Sequence, residues 1–233
     1  MQNFTAINSP RLPIAPPVIV TRGVAALPLS KATPASRSLG VARTLTKGEE
    51  LFTEGEEADF FYKVVSGAIR TYKLLNDGRR QIDAFHLAGD IFGMEAGVMH
   101  RFSADAVGVA SVSAVRRGGI ETLSVRDAAL GEQVVSSMMR SLERAQDHML
   151  LLGRKTAQEK IATFLLDMAL RTSGSNRCDL PMQRSDIADH LWLTIETVSR
   201  TLTQLVRDGV IELAATGRSI VFRNQAALQR LNS

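Results

Sequence analysis

Residues 184–211 read RSDIADHLWLTIETVSRTLTQLVRDGVI, and the way this stretch punctuates itself decides the architecture of the chain. Ile187, Ala188 and Leu191 recur at helical spacing, and so do Val198, Leu202 and Leu205, which predicts two short amphipathic helices. Only Trp192, Leu193 and Thr194 separate them. A three-residue break between two such helices is the helix-turn-helix spacing, in which the first helix crosses a phosphate backbone and the second enters the major groove. The Thr194 hydroxyl can accept from the free backbone N–H of Glu196 or Thr197, and such a cap fixes where the second helix begins.

Counted from that cap, Ile195, Glu196, Ser199 and Arg200 share the outward face of the first two turns, away from the apolar face. An arginine can give two hydrogen bonds to guanine O6 and N7, and a glutamate can accept from the cytosine amino group, so Glu196 and Arg200 suit base reading. Their i, i+4 spacing equally suits a plain surface ion pair. The two roles are compatible, because Glu196 can hold Arg200 in place.

The run DIADHLWLTIETVSRTLTQL resembles the DNA-binding signature of the CRP/FNR family of bacterial transcription regulators. The likeness is strongest to the FixK-type branch, whose members share LTxETVSR at these positions. Family-level features extend from about residue 40 to 225. The resemblance implies that Glu196, Ser199 and Arg200 contact bases, with Thr194, Ile195 and Thr197 facing the DNA or its phosphates. Catabolite activators place an arginine directly before the glutamate; Ile195 stands there in this chain, which implies a two-fold symmetric site of TTGA-type half-sites. RNA polymerase is an implied partner, and a low-oxygen or nitrogen-oxide circuit an implied setting. Trp192 departs from the pattern, since relatives usually carry glycine in the turn. A bulky residue is unfavourable there if the backbone needs positive φ.

The chain has 233 residues, 45% of them hydrophobic, enough for a sizeable core in two domains. No apolar run approaches the roughly 20 residues that span a bilayer, and no charged-then-apolar start resembles a secretory signal, so a cytoplasmic protein without membrane contact is expected. The net charge is +4, but Arg11, Arg22, Lys31, Arg37, Arg43 and Lys47 lie within residues 1–48, where there is no acid, leaving the rest at −2. Any affinity for DNA must therefore come from local placement of charge. Six of the seven prolines fall in residues 1–39, which read as an irregular N-terminal arm.

Residues 40–125 change texture to short aromatic and branched runs broken by glycine. Strands are expected at 60–65, 68–74 and 81–86, with a hairpin turn at Asn76-Asp77-Gly78, and further ones near 91–92, 104–109 and 111–116. Turn signals at this frequency predict a small antiparallel β-barrel or jelly roll. This agrees with the family's cyclic-nucleotide-binding fold, including glycines at Gly48, Gly55, Gly67, Gly78 and Gly89. In the catabolite-activator branch a glutamate and an Arg-Ser pair hold the nucleotide; this chain has Met94 and Phe102-Ser103 at those places. Arg101 and Glu95 are one position out of register, on the opposite face of an alternating strand. The pocket is expected to be filled by its own side chains, with no cofactor. FNR-type sensors bind an iron–sulfur cluster through several N-terminal cysteines, and the arm has none. His86, His100, His148 and His190 show no metal-ligand spacing, and no metal is expected.

Residues 126–154 contain the clearest helix. Val135, Met138, Leu142, Ala145, Met149 and Leu152 are spaced 3, 4, 3, 4, 3, an a/d seam that predicts a two-stranded coiled coil in a homodimer, with intramolecular packing as the alternative. Residues 155–233 read as a winged helix-turn-helix domain. A helix is expected at 156–171 with Ile161, Phe164, Leu165 and Met168 inward, a strand at 179–182, and strands at 210–213 and 219–222 around a turn whose Arg218 suits a phosphate. Cys178, the single cysteine, reads as a loop residue open to a redox role or to none. The fold class is thus α+β. The function expected is an effector-independent activator that binds double-stranded DNA as a homodimer. The alternative is an effector-gated regulator responding to nucleotide, haem or nitric oxide. An enzyme is excluded for want of any nucleophile–base pair, metal cluster or phosphate loop.

Overall fold

The computed structural model describes residues 40–117, 128–172, 176–214 and 217–232. The arm expected at 1–39, residues 173–175 of the loop before the last domain, and Ala215 and Thr216 of the wing turn lie outside them.

Strands β1 (Val41–Leu45), β2 (Glu50–Phe52), β3 (Phe60–Ser66), β4 (Ala68–Leu74), β5 (Arg80–Leu87), β6 (Ile91–Phe92), β7 (Ser103–Ala106) and β8 (Ala110–Arg116) make two four-stranded sheets, ordered β1-β8-β3-β6 and β2-β7-β4-β5. Every pairing in them is antiparallel. Of the two forms expected, barrel or jelly roll, the sheets take the second, stacking without closing. Leu45, Tyr62, Val64 and Val112 from one sheet meet Phe52, Ile69, Ala104 and Ala106 from the other in a shared interior. The chain crosses between the two sheets at Gly67. Gly67 alone carries the chain from β3 in one sheet to β4 in the other, at φ 77°, and a Cβ there would stand 2.4 Å from the Val109 carbonyl oxygen. Only glycine fits such a corner. The β4–β5 hairpin turns where Asn76-Asp77-Gly78 predicts it, with the Asp77 carboxylate accepting from the Arg79 N–H at 3.0 Å. The sequence reading did not resolve β1 and β2. The first is an edge strand exposed at four of its five positions, and the second has three residues.

Helix α1 (Ala128–Arg154) runs 27 residues, about 40 Å at 1.5 Å per residue. It turns Val134, Ser137 and Leu151 toward the body and leaves Val135, Met138, Leu142, Ala145 and Met149 exposed, with Leu152 partly buried. Helix α2 (Ala157–Thr172) starts at a capping box in which Thr156 and Glu159 exchange hydrogen bonds. It buries Ile161, Phe164, Leu165 and Met168 as expected.

The remaining elements are β9 (Arg177–Asp179), α3 (Arg184–Leu191), α4 (Ile195–Arg207), β10 (Ile211–Leu213), β11 (Ser219–Phe222) and α5 (Gln225–Asn232), with a three-stranded sheet ordered β10-β11-β9. Strand β9 lies earlier than the 179–182 expected for it. Leu180 gives the last rung, donating to the Arg218 carbonyl at 2.9 Å, and Pro181 has no N–H to continue. Cys178 is therefore not a loop residue: it pairs with Ile220 in the ladder and is fully buried. Burial, and then the carboxylates of Asp179 and Asp167, push its thiol up to about 12, so it stays protonated.

One contiguous core joins these parts. Tyr72, Ile82 and Phe85 on the outer face of β4 and β5 pack with Phe164 and Met168 of α2, Ile187 and Leu191 of α3, and Ile220 of the wing. Helix α3 is thereby seated against the jelly roll as well as against its own domain.

Candidate nucleic-acid interface

The site is built from the start of α3 to the wing. Gln183 takes an extended conformation before α3, and its N–H donates to the Asp186 carboxylate at 3.0 Å, which caps the helix start. Asp186 is 4% exposed and also accepts from two arginines of the jelly roll, Arg70 at 2.5 Å and Arg80 at 2.7 Å. Arg70 pairs in turn with Asp105 at 2.6 Å, and Arg80 with Asp189 at 2.8 Å. The charges alternate in sign, so each buried group has the partner that desolvation demands. Beside them His190 donates from Nδ1 to the Ile82 carbonyl at 3.2 Å and stacks on His148 of α1 with ring centroids 4.1 Å apart.

Helix α3 ends in a left-handed residue, Trp192, at φ 56° and ψ 48°, the single non-glycine with positive φ among the described residues. Its N–H and that of Leu193 both return to the Ala188 carbonyl, the arrangement in which glycine is usual. Lys160 of α2, itself buried, donates to the Leu191 carbonyl at 3.3 Å and closes the same helix end. The turn thus has the backbone geometry that favours glycine, and it is held from both sides.

Thr194 caps α4 through its hydroxyl, which accepts from the Thr197 N–H at 3.2 Å. This fixes the phase of the helix: Val198, Leu202 and Leu205 go inward, and Glu196 and Arg200 are exposed, with Ser199 partly so. Ile195 is 49% exposed on the same side, and the Thr197 hydroxyl shares a hydrogen bond with Thr194. No ion pair closes between Glu196 and Arg200, although Arg200 contributes to lowering the Glu196 carboxyl. The main causes of that shift are Glu196's own backbone N–H and the Thr194 hydroxyl. Glu196 is thus an ionised acceptor and Arg200 a guanidinium with no carboxylate bound among the described residues. A shallow cleft of about 330 Å³ runs beside them, lined by Gln158, Thr197, Arg200, Thr201 and Gln204. A second, of about 280 Å³, lies between α3, α4 and the wing, with Arg184, Arg218, Ile187 and Leu202 on its walls. Arg218 is exposed at the mouth of the wing turn. Sequence reasoning passed over Arg184, Lys160 and Arg70, and no local pattern marks them.

The jelly-roll interior is occupied by its own rings. Phe52 stacks on His100 with centroids 3.6 Å apart, and Phe92 on His86 at 4.4 Å. The Thr71 hydroxyl lies 3.1 Å from His86 Nε2. Met94 packs with Phe61, Ile91, Val115 and Val134. Arg101 lies in the bend before β7, not on the alternating strand expected for it, and its guanidinium is over the Phe102 ring. No three metal-binding side chains converge among the described residues, and no described helix is long and apolar enough to cross a membrane.

A family model described as a Crp-like helix-turn-helix domain matches residues 159–231, and one described as a cyclic nucleotide-binding domain matches residues 42–126. The chain is 43% identical over 219 residues to the nitrogen fixation regulation protein FixK of Azorhizobium caulinodans, covering 92% of this chain and 88% of that one. It is 45% identical over 173 residues to the transcriptional activatory protein AadR of Rhodopseudomonas palustris, covering 72% of each. The solved structure of FixK2 from Bradyrhizobium japonicum superposes with a TM-score of 0.77 at 46% identity, covering 83% of this chain and 97% of that one. With a helix-turn-helix behind a cyclic-nucleotide-binding-type jelly roll, and with relatives named as regulators and not as enzymes, the chain belongs to the CRP/FNR family as a FixK-type transcription regulator.

Proposed function

We propose that the protein is a homodimer that binds a two-fold symmetric DNA site of TTGA-type half-sites without any effector. Through RNA polymerase it activates transcription in a low-oxygen or nitrogen-oxide circuit of the cytoplasm. One observation carries the reading: Glu196, Ser199 and Arg200 share the open face of α4, and no ion pair ties Glu196 to Arg200. Glu196 and Arg200 offer an acceptor and a bidentate donor to base edges, with Thr194, Ile195, Thr197 and Arg218 flanking them toward the backbone. The seam supports dimerisation. Val135, Met138, Leu142, Ala145 and Met149 form an exposed apolar row of period 3.5 on α1, with Leu152 at its end, and a second copy would cover it. The ring-filled jelly-roll interior supports effector independence. Activation and the circuit follow the resemblance and the names of the relatives. The domain plan that fits is an arm at 1–39, a sensor-like jelly roll at 40–125, a dimerisation helix at 126–154 and a DNA-binding domain at 155–233.

Binding-site selection from random DNA with untreated protein tests target and effector dependence together. Palindromes with half-sites about one helical turn apart are expected, from a protein that sediments as a dimer at micromolar concentration. Sequences enriched only after a cyclic nucleotide, haem or nitric oxide is supplied would overturn effector independence. A monomer would overturn the dimer.

A further inference from the structure

We propose that Arg184 is a positioning residue for base reading: it fixes which way the Ser199 hydroxyl points and so makes Ser199 a hydrogen-bond donor to the DNA. The proposal rests on the reading of α4 as the base-contacting helix.

Arg184 opens α3, and Ser199 sits in the second turn of α4. The Arg184 guanidinium spans the gap between the two helices, donating from NH1 to the Ser199 hydroxyl at 3.3 Å. Its NH2 lies near the wing turn, 3.9 Å from where a Cβ on Gly217 would be. Arg184 thus lines the same cleft as Arg218 and Gly217. Arg184 pairs with no carboxylate among the described residues, so nothing competes for NH1.

The chemistry of a hydroxyl supplies the rest. It has one hydrogen and two lone pairs, and a cation donating to one lone pair turns the hydrogen away from itself. A serine within a helix normally has another outlet, donating back to the carbonyl four residues earlier. One turn further on Thr203 does this, giving its hydrogen to the Ser199 carbonyl at 2.9 Å. Ser199 does not: its only described side-chain bond is the one it accepts from Arg184. Its hydrogen is left uncommitted on the half-exposed side of α4, next to Glu196 and Arg200. A hydroxyl so oriented favours base acceptors, namely purine N7, guanine O6 or thymine O4, and disfavours the cytosine amino group. Glu196, an acceptor only, and Ser199, fixed as a donor, would then read opposite features of neighbouring base pairs.

The test is a double-mutant cycle in the full-length protein. Arg184→Ala, Ser199→Ala and the double variant are compared on the selected palindrome and on versions with each half-site base pair replaced symmetrically, over a range of salt. In Ser199→Ala, discrimination against cytosine at one base pair should fall about 2- to 10-fold per half-site, the worth of one net hydrogen bond. Arg184→Ala should flatten discrimination at the same base pair, the double variant should be no flatter than Ser199→Ala, and Arg184→Lys should restore part of it. Thermal melts of each variant exclude loss of folding, and discrimination, being a ratio, is insensitive to the amount of active protein. Equal weakening of all palindromes by Arg184→Ala, with a salt slope reduced by about one per half-site, would make Arg184 a phosphate contact only and overturn the proposal. So would a Ser199→Ala variant with unchanged base preferences. Either result leaves the parent's binding to its palindrome intact, whereas failure of the reading of α4 itself would appear as a parent with no selected site.

Discussion

Replacing Trp192 by alanine and by glycine should order the two variants against the usual rule. In an ordinary exposed helical position glycine is less stable than alanine by about 1 kcal/mol. Trp192, however, stands at φ 56° and ψ 48° and is 65% exposed. An aromatic side chain buries 150–250 Å² in a core; roughly a third of that, on the order of 50–90 Å², is lost in either variant, or about 1–2 kcal/mol. This loss cancels in the comparison. Alanine keeps the left-handed conformation at a cost of about 1–2 kcal/mol. Glycine removes that cost and adds about 0.4–1 kcal/mol of chain entropy to be lost on folding. Trp192→Gly should therefore exceed Trp192→Ala in stability by about 0.5–1 kcal/mol. Urea unfolding of both at one fixed protein concentration measures the difference, and a melt should separate them by a few degrees. An alanine variant equal to or more stable than the glycine variant would refute the claim that this turn carries left-handed strain.

Further outcomes follow from the same geometry. His86 and His190 are pushed down to about 3, chiefly by burial, so the unfolded chain binds protons below about 6.5 that the folded one refuses. Stability should be complete above that pH and fall on acidification by up to about 1.4 kcal/mol per pH unit for each histidine. Urea midpoints that stay constant from pH 7 to 5 would contradict this. Asp186→Ala leaves Arg70 and Arg80 without their shared carboxylate and should cost about 3 kcal/mol; an unchanged urea midpoint would count against the clasp. Cys178 should resist maleimide in the native protein, and site-specific DNA binding should survive peroxide; rapid native labelling would mean that β9 opens. Arg200→Ala should lose about 1–3 kcal/mol of specific binding per half-site with little change on random DNA. Equal loss on both, measured at fixed salt, would make it a phosphate residue.

What could be read from the sequence was what is local. The two helices, the Thr194 cap and the inward faces of α2 and α4 follow from spacing within a turn or two, and the Trp192 conflict was visible through the family resemblance, because relatives usually carry glycine in that turn. The β4–β5 hairpin announced itself through Asn76-Asp77-Gly78. The break at Gly67 was legible as the gap between two strand runs, but the need for glycine there was not, because its constraint is the Val109 carbonyl, 42 residues away in sequence. Strand β9 was misplaced since three residues give no period, and with it Cys178 was read as a loop residue. The partners of Asp186 lie 116 and 106 positions upstream, and the stacked pair of His148 and His190 joins two helices that share no pattern. Arg184 looked like any first-turn arginine; what distinguishes it is a hydroxyl on the next helix.

The position of Asp186 also bears on how freely this protein's parts can be exchanged with those of relatives. A single carboxylate serves as the start signal of α3 and as the anchor for two arginines of another fold unit. A chimera that takes residues 155–233 from this chain and the jelly roll from a relative lacking cations at positions 70 and 80 would bury an uncompensated charge at the first turn of α3. The reverse graft would leave Arg70 with Asp105 alone and Arg80 without the Asp186 carboxylate. The workable unit of transplantation is therefore not the helix-turn-helix domain but that domain together with its two arginines, and recombination within the family should preserve positions 70, 80 and 186 as a set.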